Sequence, residues 1–185
     1  MTGSRPMYKY GIVVAAAIAL SSCGTNTPEP SSQTGESQPP RSCMMDAAYS
    51  SVIRDKRKFV AKSDNVFVGT VEESAGQHIE EDGTPHSQFN VKVLSNLKGM
   101  LPESVTVSQN GGIINNVQCL LNHDPLLTPG TTYIFTTKYA PTLKFHFITA
   151  AEYGDIKLST ADAAAVKNGL PDPPPVAEMR AAVGG

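Results

Sequence analysis

Five short runs of apolar and β-branched residues, of which 89–94 and 104–109 alternate with polar residues, constrain the fold of this 185-residue chain more than any other feature. Each run is rich in Val, Ile, Thr, Phe or Tyr and is bounded by polar or turn-forming residues, as half-buried β-strands are. Gly69, inside the first run, predicts a β-bulge or a sharp bend. The runs occupy residues 66–71, 89–94, 104–109, 132–137 and 144–149.

Helical patterns precede and follow these runs. Residues 43–62 repeat apolar side chains at three- and four-residue steps, which predicts an amphipathic helix with a solvated basic face. Contact of that face with anionic lipid headgroups is the alternative. Ser159 and Asp162 have the spacing of a capping box and predict a short helix that ends at Gly169. Three prolines at 173–175 predict a stiff spacer before a last helical turn.

One helix followed by about five short strands predicts a mainly β fold, a five-stranded Greek-key barrel of the oligonucleotide/oligosaccharide-binding (OB) type, with a short C-terminal helix. The polar residues 72–87 are predicted to form a long hairpin connection, and Asn110-Gly111-Gly112 a turn. Loops at the ends of a barrel often carry binding residues. The candidate binding residues in these two loops are Glu80, Glu81, Asp82, Asn110 and Asn115.

The charge balance argues against a polyanionic partner. The chain has 15 Lys and Arg against 17 Asp and Glu, and a pI near 6.1. A nucleic-acid-binding chain needs a basic patch to neutralise phosphates, so we expect no DNA or RNA partner. The sequence also has no phosphate-binding loop, dinucleotide fingerprint or nucleophile elbow. We therefore predict no cofactor and no metal site.

The first 23 residues resemble a bacterial lipoprotein signal. Arg5 and Lys9 precede an apolar stretch of about ten residues, half of what a helix needs to span a bilayer. Leu20-Ser21-Ser22-Cys23 then resembles the lipobox of that family. The resemblance implies cleavage of residues 1–22, lipidation of the Cys23 thiol and anchorage on the extracytoplasmic face of a cell membrane. A plain secretory peptide is the alternative.

The residues after the signal fit this location. Residues 23–42 follow with no large apolar side chain, which predicts a disordered tether. If Cys23 is lipidated, Cys43 and Cys119 remain, and two thiols in an oxidising compartment predict one disulfide. Two free thiols or a metal-binding pair are the alternatives.

Four short motifs between residues 43 and 149 match a known domain family. They are Asp64-Asn65-Val66-Phe67-Val68-Gly69-Thr70-Val71, Leu97-Lys98-Gly99, the later Cys119, and Gly130-Thr131-Thr132-Tyr133. With these motifs the region resembles the netrin-like domain, the barrel of the tissue inhibitors of metalloproteinases. The resemblance implies an OB-type binding domain over 43–158, followed by a helical segment and tail over 159–185. Inhibitors of this family clamp the catalytic zinc with an N-terminal Cys, whereas here Cys43 is internal and no residue takes that role.

Three functions are compatible with these residues. An envelope hydrolase would use Cys119 as nucleophile and His123 as base. A module that binds divalent cations would use His78, His86 and the acids between them. The lack of a catalytic constellation favours the third, a non-enzymatic, lipid-anchored module that binds a protein of the cell envelope.

Overall fold

The computed structural model describes residues 41–49 and 51–184. The predicted signal peptide, Cys23 and nearly all of the predicted tether lie outside the described residues. In the described part, no helix is long and apolar enough to cross a bilayer. The strands are β1 (Arg41–Met45), β2 (Asn65–Ile79), β3 (Pro85–Lys98), β4 (Ser104–Ile114), β5 (Val117–Leu121), β6 (Thr132–Ala140), β7 (Phe145–Ile148) and β8 (Asp155–Lys157). The helices are α1 (Lys56–Ala61), α2 (Thr160–Lys167) and α3 (Pro174–Val183), with a 3₁₀ turn at Ser51–Arg54.

Strand pairings form a ring. β2 pairs with β3 and β3 with β4, both antiparallel. β7 then joins β4 in parallel and β6 antiparallel, and β6 returns to β2. β5 and β1 extend the sheet beyond β4, while β8 pairs with β6. The predicted mainly β class and the short C-terminal helix are confirmed, but the described strands number eight rather than five.

The predicted helix over 43–62 is wrong in its first part. Residues Arg41–Met45 form β1, which pairs in parallel with β5 and sets Cys43 opposite Cys119. The helix is confined to α1, where the Asp55 carboxylate accepts a hydrogen bond from Lys58 N at 3.2 Å. Pairing with a strand edge here overrides the local helical periodicity.

The predicted loop over 72–87 is also wrong, because β2 and β3 form a much longer hairpin. Only residues 80–84 connect the two strands. Beyond Val71 the side chains of β2 are exposed or half-exposed, so the alternation that marks a strand is missing. The predicted irregularity at Gly69 is confirmed by a register shift between Val68 and Gly69. A Cβ at Gly69 would lie 2.5 Å from Val91 Cγ1.

Asn110-Gly111-Gly112 does not form the predicted turn, because these residues lie inside β4. Gly111 has a φ of +119° and pairs with His86, where the register between β3 and β4 shifts. The strand therefore continues through a local irregularity instead of ending there. The turn comes at Asn115 and Asn116, whose φ angles of 48° and 61° suit a two-residue hairpin.

Two apolar cores hold the described chain together. The strand ring encloses the first, and β2 also contributes to the second through the opposite side chains of Val66 and Val68. Helices α1 and α3 cover that second core. Pro174 and Pro175 begin α3 rather than acting as a spacer, since the first turn of a helix tolerates their missing N–H groups. The second core also contains Val60, Ile134, Leu158, Val176, Met179 and Ala182.

Two further contacts fix the ends of the helices. The predicted cap of α2 is confirmed, because Ser159 Oγ accepts a hydrogen bond from Asp162 N at 3.1 Å. At the end of α1, Lys98 Nζ donates to the carbonyl oxygens of Val60 at 2.7 Å and of Ser63. An ammonium group at a helix C-terminus satisfies carbonyls that the helix leaves unpaired. Lys98 therefore ties α1 to the end of β3.

Candidate functional site

A groove of about 790 Å³ lies between the tip of the β2–β3 hairpin and the segment that follows β1. Four of its lining residues are acids, and none of the ten described lining residues is Lys or Arg. Such a concave surface of one sign concentrates negative potential. We call it the acidic groove. Its lining residues are Met45, Asp46, Ala47, Glu80, Glu81, Asp82, Thr84, His86, Asn110 and Leu121.

The hairpin tip is held by its own backbone. Gly83 N donates to the Glu80 carbonyl at 2.9 Å, and Gly83 takes a φ of +86° that glycine adopts without strain. The Asp82 carboxylate accepts a hydrogen bond from Thr84 N at 2.9 Å. This bond lowers the pKa of Asp82 and keeps the carboxyl charged. The turn therefore presents the charged Asp82 carboxylate beside Glu80 and Glu81 in the groove.

Two histidines flank Glu80 at the hairpin tip. The Nε2 atoms of His78 and His86 each lie 3.7 Å from Glu80 Oε1. His86 packs edge-on against Phe147, with ring centroids 5.7 Å apart. Burial lowers the pKa of His86, against the opposing effect of Glu80, so this imidazole is neutral at neutral pH.

The opposite wall of the groove depends on the disulfide. Cys43 and Cys119 are bonded across β1 and β5, which confirms the predicted pair. Further along, the Asn122 side chain accepts from Ala47 N at 2.8 Å and donates to Ala47 O at 3.0 Å. Asp46 lies between Cys43 and Ala47 in the chain, so the disulfide and the Asn122 contacts together position it.

Four of the five predicted binding residues lie in one place. Glu80, Glu81, Asp82 and Asn110 line the acidic groove, whereas Asn115 lies at the β4–β5 turn and is absent from the lining. The sequence pattern does not identify Asp46, because it predicts a helix over this segment. The signal that identifies it is the Cys43–Cys119 pair, which brings the residues after Cys43 beside β5.

The alternative functions lose their central residues. Cys119 is 7% exposed and carries no free thiol while bonded to Cys43, so it is no nucleophile in the oxidised protein. The hydrolase alternative based on Cys119 and His123 would therefore need a protein in which this bond is reduced. No three His, Cys, Asp or Glu side chains of the described residues are grouped to hold a metal ion, and His78 and His86 gain no support as cation ligands.

Two exposed aliphatic side chains lie on β2 and β4, outside the lining of the acidic groove. Ile79 directly precedes Glu80 and is 46% exposed, and Ile113 is 53% exposed. The Gln77 side chain joins their strands, accepting from Ile113 N at 2.7 Å and donating to Ile113 O at 3.0 Å. Gln77 and Ile79 share a face of β2. The Gln77 contacts thus hold these parts of β2 and β4 together.

Comparison with known proteins adds no relative. No protein-family model matches the chain, and no curated protein matches it. The function must therefore be inferred from the chemistry of the groove.

Proposed function

We propose that this chain is a lipid-anchored extracytoplasmic module that binds a partner protein of the cell envelope and catalyses no reaction. The acidic groove is the proposed contact site. The observation that carries the proposal is the presence of four acids and no Lys or Arg around one concave surface. Such a surface suits a partner that presents Lys or Arg side chains, because opposite potentials speed and orient association.

Exposed aliphatic side chains elsewhere on β2 and β4 favour a protein over a free cation. Ile79 and Ile113 are exposed outside the groove lining, and a protein partner whose contact extends beyond the groove would bury them with its own apolar side chains. The disulfide and the Asn122 contacts hold one wall before the partner arrives. A wall ordered in advance reduces the entropy lost on binding.

The proposed anchor and family rest on different observations. Leu20-Ser21-Ser22-Cys23 supports a lipobox and hence a lipid on Cys23. The order β6-β2-β3-β4 is that of a Greek key, and β7 closes the ring, which supports a barrel of the OB type. The motifs around Gly69 and Lys98 support the netrin-like assignment. Inhibition of a metalloproteinase is not proposed, since Cys43 is internal.

Neutralising the hairpin tip tests the proposal. The triple variant Glu80→Gln, Glu81→Gln, Asp82→Asn removes three charges, and Asn retains the oxygen that accepts from Thr84 N. In-cell crosslinking followed by mass spectrometry should recover the envelope partner with the parent chain and lose most of it with this variant. The loss should shrink as salt rises, since salt screens exposed charges.

A matched control separates the groove from general charge. Glu72→Gln, Glu103→Gln and Glu178→Gln remove three exposed acids that are not part of the groove lining. This control should retain the partner. Equal recovery with both triple variants would contradict the proposed site, and circular dichroism would verify that each variant folds.

A further inference from the structure

A second cavity, of about 530 Å³, opens at the end of the strand ring away from the hairpin tip. It lies where β2 and β4 begin, β6 ends and β7 begins. We call it the barrel-mouth cavity. Its volume is in the range of small-molecule sites, which often occupy the mouths of β-barrels. It shares no lining residue with the acidic groove.

An aromatic pair forms one side of the barrel-mouth cavity. Tyr139 and His146 are opposite each other on β6 and β7, with ring centroids 4.8 Å apart and planes inclined by 37°. Tyr139 is 44% exposed, whereas His146 is only 7% exposed. The buried Nδ1 of His146 has no hydrogen-bond partner within residues 41–49 and 51–184. Buried polar side-chain atoms without a hydrogen-bond partner are uncommon in folded proteins.

The remaining walls mix aliphatic with polar side chains and contain one cation. Leu101 and Val105 supply aliphatic surface, and both pack against the core of the strand ring. Lys144 is the one Lys or Arg among the lining residues. Burial lowers the pKa of His146, so its ring is neutral at neutral pH and Lys144 provides the positive charge. The charge of Asp64 acts against burial and raises the pKa of His146. Asp64 accepts a hydrogen bond from Tyr139 N at 2.9 Å and is not part of the cavity lining.

We propose that the barrel-mouth cavity binds a small aromatic carboxylate. The aromatic ring stacks on Tyr139 and contacts Leu101 and Val105, and the carboxylate pairs with the Lys144 ammonium. Aromatic faces favour offset or tilted ring contacts, and an ammonium pairs with a carboxylate by a charge-assisted hydrogen bond. This ligand site is separate from the protein-binding groove and adds a second binding activity to the chain.

Titration with 2-naphthoate tests the proposal. The full chain in its oxidised form should bind 2-naphthoate saturably by calorimetry, and the NMR amide signals of Tyr139, Lys144 and His146 should shift. The neutral analogue 2-naphthalenemethanol should bind about fivefold more weakly, because it lacks the ion pair. Equal affinity for the two compounds, no saturable binding, or shifts confined to the acidic groove would overturn the proposal.

Two matched pairs of variants sharpen the test. Lys144→Asn removes the cation at a residue with a φ of +59°, a conformation that Asn tolerates, and should abolish the preference for the acid. Lys138→Asn, at an exposed residue of β6 outside the lining, should leave it unchanged. Tyr139→Leu should weaken both compounds, whereas Tyr153→Leu, at a tyrosine that is 38% exposed elsewhere, should weaken neither. The same effect in both members of a pair would overturn the assignment.

Discussion

Replacing Asp155 by Asn should stabilise the protein at neutral pH. Asp155 is 9% exposed, and its Oδ2 accepts a hydrogen bond from Gln109 Nε2 at 3.2 Å. The same nitrogen donates to Asp124 Oδ2 at 3.0 Å, so two buried carboxyl groups share one amide. Burial, followed by the charge of Asp124, raises the pKa of Asp155 to about 8. The Asp155 carboxyl is therefore protonated in the folded protein at pH 7.

The size of the effect follows from the two pKa values. The carboxyl ionises near its ordinary pKa of 3.8 in the unfolded chain and near 8 in the folded chain. A pKa raised by folding contributes stability that is fully present below pH 4 and is lost as the pH rises through 8. At about 1.4 kcal/mol per pH unit, the loss reaches about 4 kcal/mol at pH 7. Asn does not ionise and keeps an oxygen for Gln109.

Urea unfolding with the disulfide intact, between pH 4 and pH 8, measures this difference. The free energy of unfolding of Asp155→Asn should exceed that of the parent by about 4 kcal/mol at pH 7 and by less than about 1 kcal/mol at pH 4. Asp155→Ala should be less stable than Asp155→Asn at every pH yet should follow the same flattened slope. Parallel curves for the parent and Asp155→Asn would refute the reasoning.

Three further predictions concern the disulfide, the Lys98 contacts at the end of α1, and the lipid anchor. Replacing Cys43 and Cys119 by Ser should reduce the free energy of unfolding by about 4 kcal/mol, because the bond closes a loop of 76 residues, and urea unfolding with and without a reductant would measure it. Lys98→Met should lower the free energy of unfolding by about 1–3 kcal/mol, because it leaves the carbonyls at the end of α1 unpaired. The control Lys92→Met loses only an exposed ion pair and should lower it by less than about 1 kcal/mol. Metabolic labelling with a fatty-acid analogue should mark the parent chain and not Cys23→Ala, and equal labelling of both would refute the lipid assignment.

The strands of the ring are predictable because their apolar and β-branched residues are bounded by polar or turn-forming residues. Each of the five predicted runs lies at least partly within β2, β3, β4, β6 or β7. Phe67 and Val71, for example, alternate with Val66 and Val68 between the two cores, so every side chain in that run is constrained. The cap at Ser159 and the bulge at Gly69 are also predictable, because each depends on residues that are close together in the sequence.

The missed strands depend on partners distant in the chain. β1 forms because β5 and Cys119 lie beside it, and nothing within residues 41–45 encodes that neighbour. The outer part of β2 is exposed, so no apolar alternation marks it. The acids of the hairpin tip are adjacent in the sequence and can be identified as candidates from it, whereas Asp46 cannot. Its place in the acidic groove depends on the disulfide.

Site-specific photocrosslinking tests the central claim, that the acidic groove contacts a partner protein, most directly. A photoreactive residue at position 81 would lie at the hairpin tip, and one at position 103 would lie on an exposed part of the chain outside the groove lining. Irradiation of cells should give one defined protein adduct from position 81, which Asp46→Asn weakens, and none of that adduct from position 103. The same adduct from both positions, or no protein adduct from position 81, would contradict the account.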